Sequence, residues 1–243
     1  MKYPIQLIKL FLPVILIISI SFHQANAQEI KIGITAGVNA SSHLNNFLYE
    51  EGDINLDFNP SPSIGYNGGL MVRANLSEKW RVQLEPSAAM LGANYDDSFE
   101  LRGFNFQSDS KTKLLYLHLP LLVQLSTTPP ERTVYGRQRA ETTYHLTGGV
   151  YGGYLLDATF SGTNTGAPIG IQFQGDFSED VLDQYKEYDG GLILGGGLEH
   201  GVESKIGMEL RAFFSVIDSG NRDTLELFKP QNMGVTFAVY YLL

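Results

Sequence analysis

The chain has 243 residues, a formal net charge of −9, 18% charged residues and no cysteine. The acidic balance argues against a nucleic-acid-binding protein, and the lack of cysteine excludes a disulfide framework, a thiolate metal site and a cysteine nucleophile. After residue 30, no stretch is long and apolar enough to predict a membrane-spanning helix.

The N-terminus has the features of a secretory signal peptide. Positive charge at Lys2 and Lys9 precedes a short apolar segment, and an A-x-A cleavage site ends at Ala27. The apolar segment is too short to span a bilayer, so a cleaved signal peptide is predicted at residues 1–27 rather than an anchor helix. The mature domain then covers residues 28–243, and the protein is expected to be exported.

Apolar and polar side chains alternate in eight segments of the mature chain, and helical periodicity is almost absent. Successive side chains of a strand point to opposite faces, so this period predicts strands with one apolar face and one mixed face. The fourth segment is the clearest, although Pro120 within it predicts a bulge or local break. In chain order, the strands are predicted at residues 30–39, 64–76, 80–90, 115–125, 144–156, 189–199, 205–216 and 232–243.

Long and short connections alternate between these strands. Strands two and three are joined by Ser77, Glu78 and Lys79 alone, and strands six and seven by a tight turn at residues 201–204. An even-stranded up-and-down barrel with both termini in the periplasm has long outside loops and short periplasmic turns. The connection at residues 127–143 is longer than this pattern expects.

The more apolar face of the eight strands contains no Lys, Arg, Asp or Glu. This favours a barrel surrounded by lipid over the alternative of a soluble lipocalin-like barrel, whose apolar face would surround an apolar ligand. We therefore predict an all-β fold, an eight-stranded antiparallel up-and-down transmembrane β-barrel in the cell outer membrane. Its predicted partners are outer-membrane lipid and not nucleic acid.

Charged and histidine side chains collect on the opposite, inward face. An unpaired charge in a narrow, dry lumen is very unfavourable, so these groups should form pairs. The interior of an eight-stranded barrel is just wide enough for side chains to fill it. This favours a structural plug of charged side chains over a path for ions or small solutes. The predicted members are Lys31, Arg73, Arg81, Glu85, His118, His145, Glu199, Glu209 and Arg211.

No catalytic residue, cofactor site or metal site is predicted. A lipid-modifying hydrolase, the enzymatic alternative, would need a nucleophile, a base and an orienting group near the outer leaflet. His118 and His145 face inward with no serine spaced beside them. His43 lies beside Ser41 and Ser42 in a predicted outside loop, where solvated residues are favoured over a catalytic pair.

The predicted outside loops hold most of the acidic residues and several phenylalanines. Long loops on a rigid barrel are where binding residues concentrate. A structural role or a binding role of the loops is therefore predicted. The acidic loops could bind a basic protein partner or cations that bridge outer-leaflet lipids, and the alternative is a hydrated cell surface without a partner. One of these loops, at residues 179–188, could contain a short helix.

Several segments resemble a known family. IKIGITAGVN near the N-terminus, the central LLYLHLPLLVQL, the Gly-rich fifth and sixth strands and the last strand resemble the outer-membrane β-barrel proteins of Bacteroidota, loosely called porin-like or PorT-like. The resemblance covers residues 28–243 and implies a barrel in the outer membrane. It also implies an alternative function, a PorT-like accessory factor for protein secretion across that membrane. Such barrels usually end in an aromatic residue, whereas this chain ends in Leu243.

Overall fold

The structure is a computed structural model. It describes residues 30–45, 47–51, 54–101, 103–127, 133–134, 137–138, 140–167, 171–221 and 229–243. The predicted signal peptide lies outside the described residues. None of the helices in the described ranges is long and apolar enough to cross a membrane.

Nearly all of the described chain is β-strand. A single turn of 3-10 helix at Leu182–Gln184 is all that forms where a short helix was expected at residues 179–188, because Glu179 and Asp180 belong to a strand. The strands are β1 (Ile30–His43), β2 (Phe47–Glu51), β3 (Ile54–Phe58), β4 (Pro60–Asn75), β5 (Trp80–Leu84), β6 (Ser87–Leu101), β7 (Phe104–Ser126), β8 (Thr133–Val134), β9 (Arg137–Gln138), β10 (Glu141–Gly166), β11 (Phe173–Asp180), β12 (Tyr188–Gly201), β13 (Lys205–Ser215) and β14 (Asn232–Leu242).

Within the described residues, eight strand positions close into an antiparallel ring. The order is β1, β4, β5/β6, β7, β10, β12, β13 and β14, where β5 and β6 together occupy the third position. The ring closes because β14 pairs with β1. The predicted eight-stranded up-and-down barrel is therefore confirmed. The start of β1, the end of β14 and the turns after β4 and β12 lie at one end, the short-turn end. The connections after β1, β6, β10 and β13 lie at the other, the long-loop end.

The third predicted strand is broken rather than continuous. β5 ends at Leu84 and β6 begins at Ser87, whereas β7 runs unbroken through Pro120, where the sequence predicted the break. The pairing partners on β7 place Pro120 opposite the gap between the two strands, and the backbone N–H of Glu85 donates to the Pro120 carbonyl at 3.1 Å. Proline removes a ladder hydrogen bond, and here the neighbouring strand, which carries Pro86, bends instead.

Three barrel strands, β6, β7 and β10, continue well beyond the ends predicted from the alternation, and β11 forms where no strand was predicted. β6, β7, β10 and β11 pair with one another up to Leu101, Phe104, Gly166 and Phe173, and the β2–β3 hairpin joins the edge of β6. We call this extension, in the order β11, β10, β7, β6, β3, β2, the distal sheet. The sequence predicted loops here because apolar alternation stops where the wall no longer faces lipid, although backbone pairing continues.

The outer wall of the ring is apolar, whereas the lumen is charged in one half and apolar in the other. Apolar side chains stand exposed on the outer wall, as at Leu117 (46% exposed) and Leu125 (41%) on β7. Inside, charged side chains fill the short-turn half of the lumen. An apolar core fills the half toward the long-loop end, and it includes Leu91, Leu114, Tyr116, Tyr151, Leu155, Tyr185 and Phe213.

Candidate functional site in the lumen and the distal sheet

Glu199 on β12 is the centre of the charged cluster nearest the short-turn end. Arg73 and Arg81 each donate from Nη1 to its carboxylate at 2.6 Å, and Lys205 donates from Nζ at 2.7 Å. Tyr240 donates from Oη at 3.2 Å, and the Arg73 guanidinium lies 5.0 Å from the centre of the Tyr240 ring. One buried carboxylate thus holds three cations from three strands.

A second cluster lies deeper in the lumen around Arg211 on β13. Its guanidinium donates to both oxygens of Glu85, at 2.6 and 2.7 Å, and also to Glu209. Glu209 Oε1 accepts a hydrogen bond from Gln124 at 2.6 Å and lies 2.5 Å from His145 Nε2. The two carboxylates are therefore bridged by one guanidinium.

Gln83 links the two clusters. Its Oε1 accepts from Arg73 Nε at 2.6 Å, and its Nε2 donates to Glu85. The result is a continuous set of buried polar contacts across the lumen. Buried charges need such partners, because desolvating an unpaired charge is strongly unfavourable.

Seven of the nine predicted lumen residues meet in this network, and two lie apart from it. His118 packs against the Tyr151 ring with 4.5 Å between centroids, and Lys31 donates to the backbone carbonyl of Glu203 at the short-turn end. Five further members were not in the predicted set, although each lies on an inward position of its strand and has the right phase. These are Gln83, Gln124, Thr147, Lys205 and Tyr240.

A small cavity of about 40 Å³ lies where the charged and apolar halves of the lumen meet. Asn39, Asn67, His118 and Arg211 are among its lining residues. A space of this size holds on the order of one water molecule.

Ser41 and His43, weighed above as solvated loop residues, are buried at the end of β1, so that prediction is wrong. Ser41 Oγ donates to the Gly92 carbonyl at 3.1 Å and accepts from the Gly92 N–H at 2.9 Å. His43 Nδ1 lies 2.6 Å from Tyr95 Oη. These contacts tie β1 to β6. Burial raises the pKa of Tyr185, whose ring packs on His43, to about 12.

Phenylalanine side chains lie on one face of the distal sheet, the face that is continuous with the lumen-facing side of the barrel wall. Phe99 and Phe106 stack across β6 and β7 with 5.4 Å between ring centroids, and Phe160 packs on Phe177 across β10 and β11 at 5.2 Å. The Phe106 ring lies over Gly166, where an added Cβ would come within 2.5 Å of it. A cleft of about 790 Å³ at the tip of the sheet is lined by phenylalanine and uncharged polar side chains, namely Ser98, Asn105, Phe106, Gln107, Thr165, Gln172, Phe173 and Gln174.

A closed eight-stranded ring with apolar side chains outside and a paired charge network inside defines the class of outer-membrane β-barrels. Comparison with protein families identifies the group within this class. The family model described as "Outer membrane protein beta-barrel domain" matches residues 22–221, and the chain belongs to this family. The protein is therefore an outer-membrane β-barrel. The lipocalin-like alternative is wrong, because the apolar face is outside.

The similarity of the chain to solved structures is weaker than its match to the family model. Ail, the attachment invasion locus protein of Yersinia pestis, is 15% identical with a TM-score of 0.33, over 88% of this chain and 99% of that chain; one of its structures holds the heparin analogue sucrose octasulfate. Neisserial surface protein A is 7% identical with a TM-score of 0.40, over 88% of this chain and 98% of that chain. No match was found among curated proteins.

Proposed function

We propose that this outer-membrane barrel is closed to solutes and serves as a rigid base for an extracellular binding surface. The observation that carries the proposal is the distal sheet, in which barrel strands continue beyond the lipid as one hydrogen-bonded sheet. A rigid platform lowers the entropy lost on binding, which disordered loops would not do.

The contents of the lumen support its closure. The guanidinium groups of Arg73 and Arg211 cross the short-turn half of the lumen to reach carboxylates at 2.6 Å. Above them, the apolar core excludes water. A conducting path would need a continuous column of water, whereas the cavity between the two halves holds on the order of one molecule.

The edge of the distal sheet suggests how a partner is bound. In the described residues, β11 pairs with β10 on one side only. An open edge presents unpaired backbone groups to which an extended segment of another chain can add as a strand. Asp176, Glu179 and Asp180 are exposed along β11. The partner is therefore a protein with a basic, extended segment.

The resemblance to PorT-like proteins supplies one setting for such a partner, the secretion of proteins across the outer membrane. That role, the Bacteroidota origin, the cleaved signal peptide and the absence of enzymatic activity all remain predictions.

A binding experiment tests the sheet. The purified barrel in micelles is titrated with a fluorescent, strand-forming peptide rich in lysine and with its glutamate counterpart. The basic peptide should bind preferentially. Neutralising Asp176, Glu179 and Asp180 together should weaken this binding about tenfold, as expected for three exposed ion pairs.

Asp109→Asn on β7, inside the sheet, is the matched control and should bind like the unchanged protein. Equal binding of both peptides would contradict the edge as the site. For the lumen, the protein in a planar bilayer with concentrated KCl should pass no stepwise current, and regular current steps would contradict closure.

A further inference from the structure

The outer wall of β7 changes from apolar to basic at one position. The outward apolar row occupies the alternate positions of residues 115–125. At about 3.3 Å per residue with a tilt of about 40° it spans about 25 Å of membrane. This matches the height of the apolar band of outer-membrane barrels. The next two outward residues, Lys113 and Lys111, therefore lie just above the hydrocarbon, at the level of the outer-leaflet headgroups.

These two lysines differ from others near the ends of the barrel. Both are exposed, and neither makes a salt bridge or side-chain hydrogen bond within the described part of the chain. By contrast, Lys186 pairs with Asp218 and Lys205 with Glu199. Two positions apart on one face, the Lys111 and Lys113 backbones are separated by about 7 Å, so both ammonium groups can reach one anion.

The surroundings of the lysines are small and polar. Lys113 lies opposite Thr159 and Lys111 opposite Ser161 on β10, so two hydroxyl groups flank the ammonium groups. Asp157 borders this patch on the membrane side, and its carboxylate accepts a hydrogen bond from Thr159 at 3.4 Å.

Asp109 borders the patch on the far side, opposite Asp96 on β6. The acids at the two ends confine positive potential to the space between them, which fits one compact anionic group rather than an extended polyanion.

We propose that Lys111 and Lys113 bind the phosphate group of a lipid in the outer leaflet. Lysine binds phosphate as a point charge. The Ser161 hydroxyl can donate to a remaining phosphate oxygen, and so can the Thr159 hydroxyl once it rotates away from Asp157. The contact fixes the height of the barrel in the membrane. This site is on the lipid-facing wall of β7, so it is independent of the partner-binding edge at β11.

Native mass spectrometry in an uncharged detergent tests the site with a phosphorylated lipid A as the probe. The Lys111→Gln/Lys113→Gln variant should bind this lipid about 25-fold more weakly than the unchanged protein. Each lysine near an anionic surface contributes about fivefold to the affinity, and the two contributions multiply. Lys79→Gln, an exposed lysine at a periplasmic turn, should leave binding unchanged, and Lys111→Arg/Lys113→Arg should retain it. Asp157→Asn should strengthen binding, because it removes the nearest negative charge.

Three results would overturn the proposal. In the first, the double glutamine variant binds the phosphorylated lipid as strongly as the unchanged protein does. In the second, the unchanged protein binds the dephosphorylated lipid as strongly as the phosphorylated one. In the third, inorganic phosphate competes for the site as strongly as the lipid. The last result would assign the site to a soluble anion. A heat-dependent shift in gel mobility, identical for every variant, verifies that each barrel is folded.

Discussion

Replacing Glu199 by glutamine removes one negative charge from the lumen and keeps the side-chain volume. Arg73, Arg81 and Lys205 would then surround a neutral amide at the distances where they now contact a carboxylate, 2.6 to 2.7 Å. The amide also presents N–H groups toward donors. We therefore expect Glu199→Gln to destabilise the barrel strongly.

The expected loss in the free energy of unfolding depends on the contacts that each cation retains in the variant. Arg73 keeps its hydrogen bond to Gln83, and the Lys205 side chain, 19% exposed, can reach water. The Arg81 side chain is only 7% exposed, and Glu199 is its ion-pair partner. Breaking a buried ion pair by removing one partner reduces the free energy of unfolding by about 3–5 kcal/mol, and we expect a value in this range.

Equilibrium unfolding in urea, with the barrel in lipid vesicles, measures this loss. Trp80 is the only tryptophan of the chain and stands exposed on the outer wall, so its fluorescence reports transfer from lipid to water. Glu78→Gln at the neighbouring exposed turn is the control, with an expected change within about 0.5 kcal/mol. Adding Arg81→Gln to Glu199→Gln should restore part of the loss, because it removes a stranded cation. Equal stability of Glu199→Gln and the control would refute the reasoning.

Two further substitutions test the lumen. Glu85→Ala should lower the free energy of unfolding by about 2–3 kcal/mol, less than Glu199→Gln because Arg211 keeps a second carboxylate, and planar-bilayer recordings should still show no current steps. Gly207→Ala should destabilise by about 1–3 kcal/mol, because its Cβ would lie 2.2 Å from the Tyr240 ring, whereas Gly152→Ala on the lipid face meets nothing within 4 Å and should be neutral in the same urea assay. Current steps in the first variant, or equal effects of the two alanines, would contradict these expectations.

The alternation of side chains along the chain was sufficient to predict the barrel. A strand has a period of two, so the phase of Leu117 and Leu125 against Gln124 determines which face meets lipid without knowledge of any neighbour. The same phase placed Arg73, Glu199 and the other charges inside. The alternation of long and short connections then predicted antiparallel pairing and the end from which the loops project.

Only the tertiary structure decided which charges meet. Glu199 contacts Arg73 and Arg81 from distant strands because ring closure and strand stagger bring those positions to one height, and neither is encoded in local spacing. Likewise, Pro120 lies in an unbroken strand because the break falls in the partner strand, and His43 is buried because β6 covers it. The sequence did not predict the distal sheet, because hydrogen bonds between backbones hold its strands together. Such pairing does not require apolar and polar side chains to alternate along the sequence. The face on which a side chain lies depends on its own strand alone. The register of the strands, the height of a residue in the barrel and the burial of its side chain depend on how strands pair.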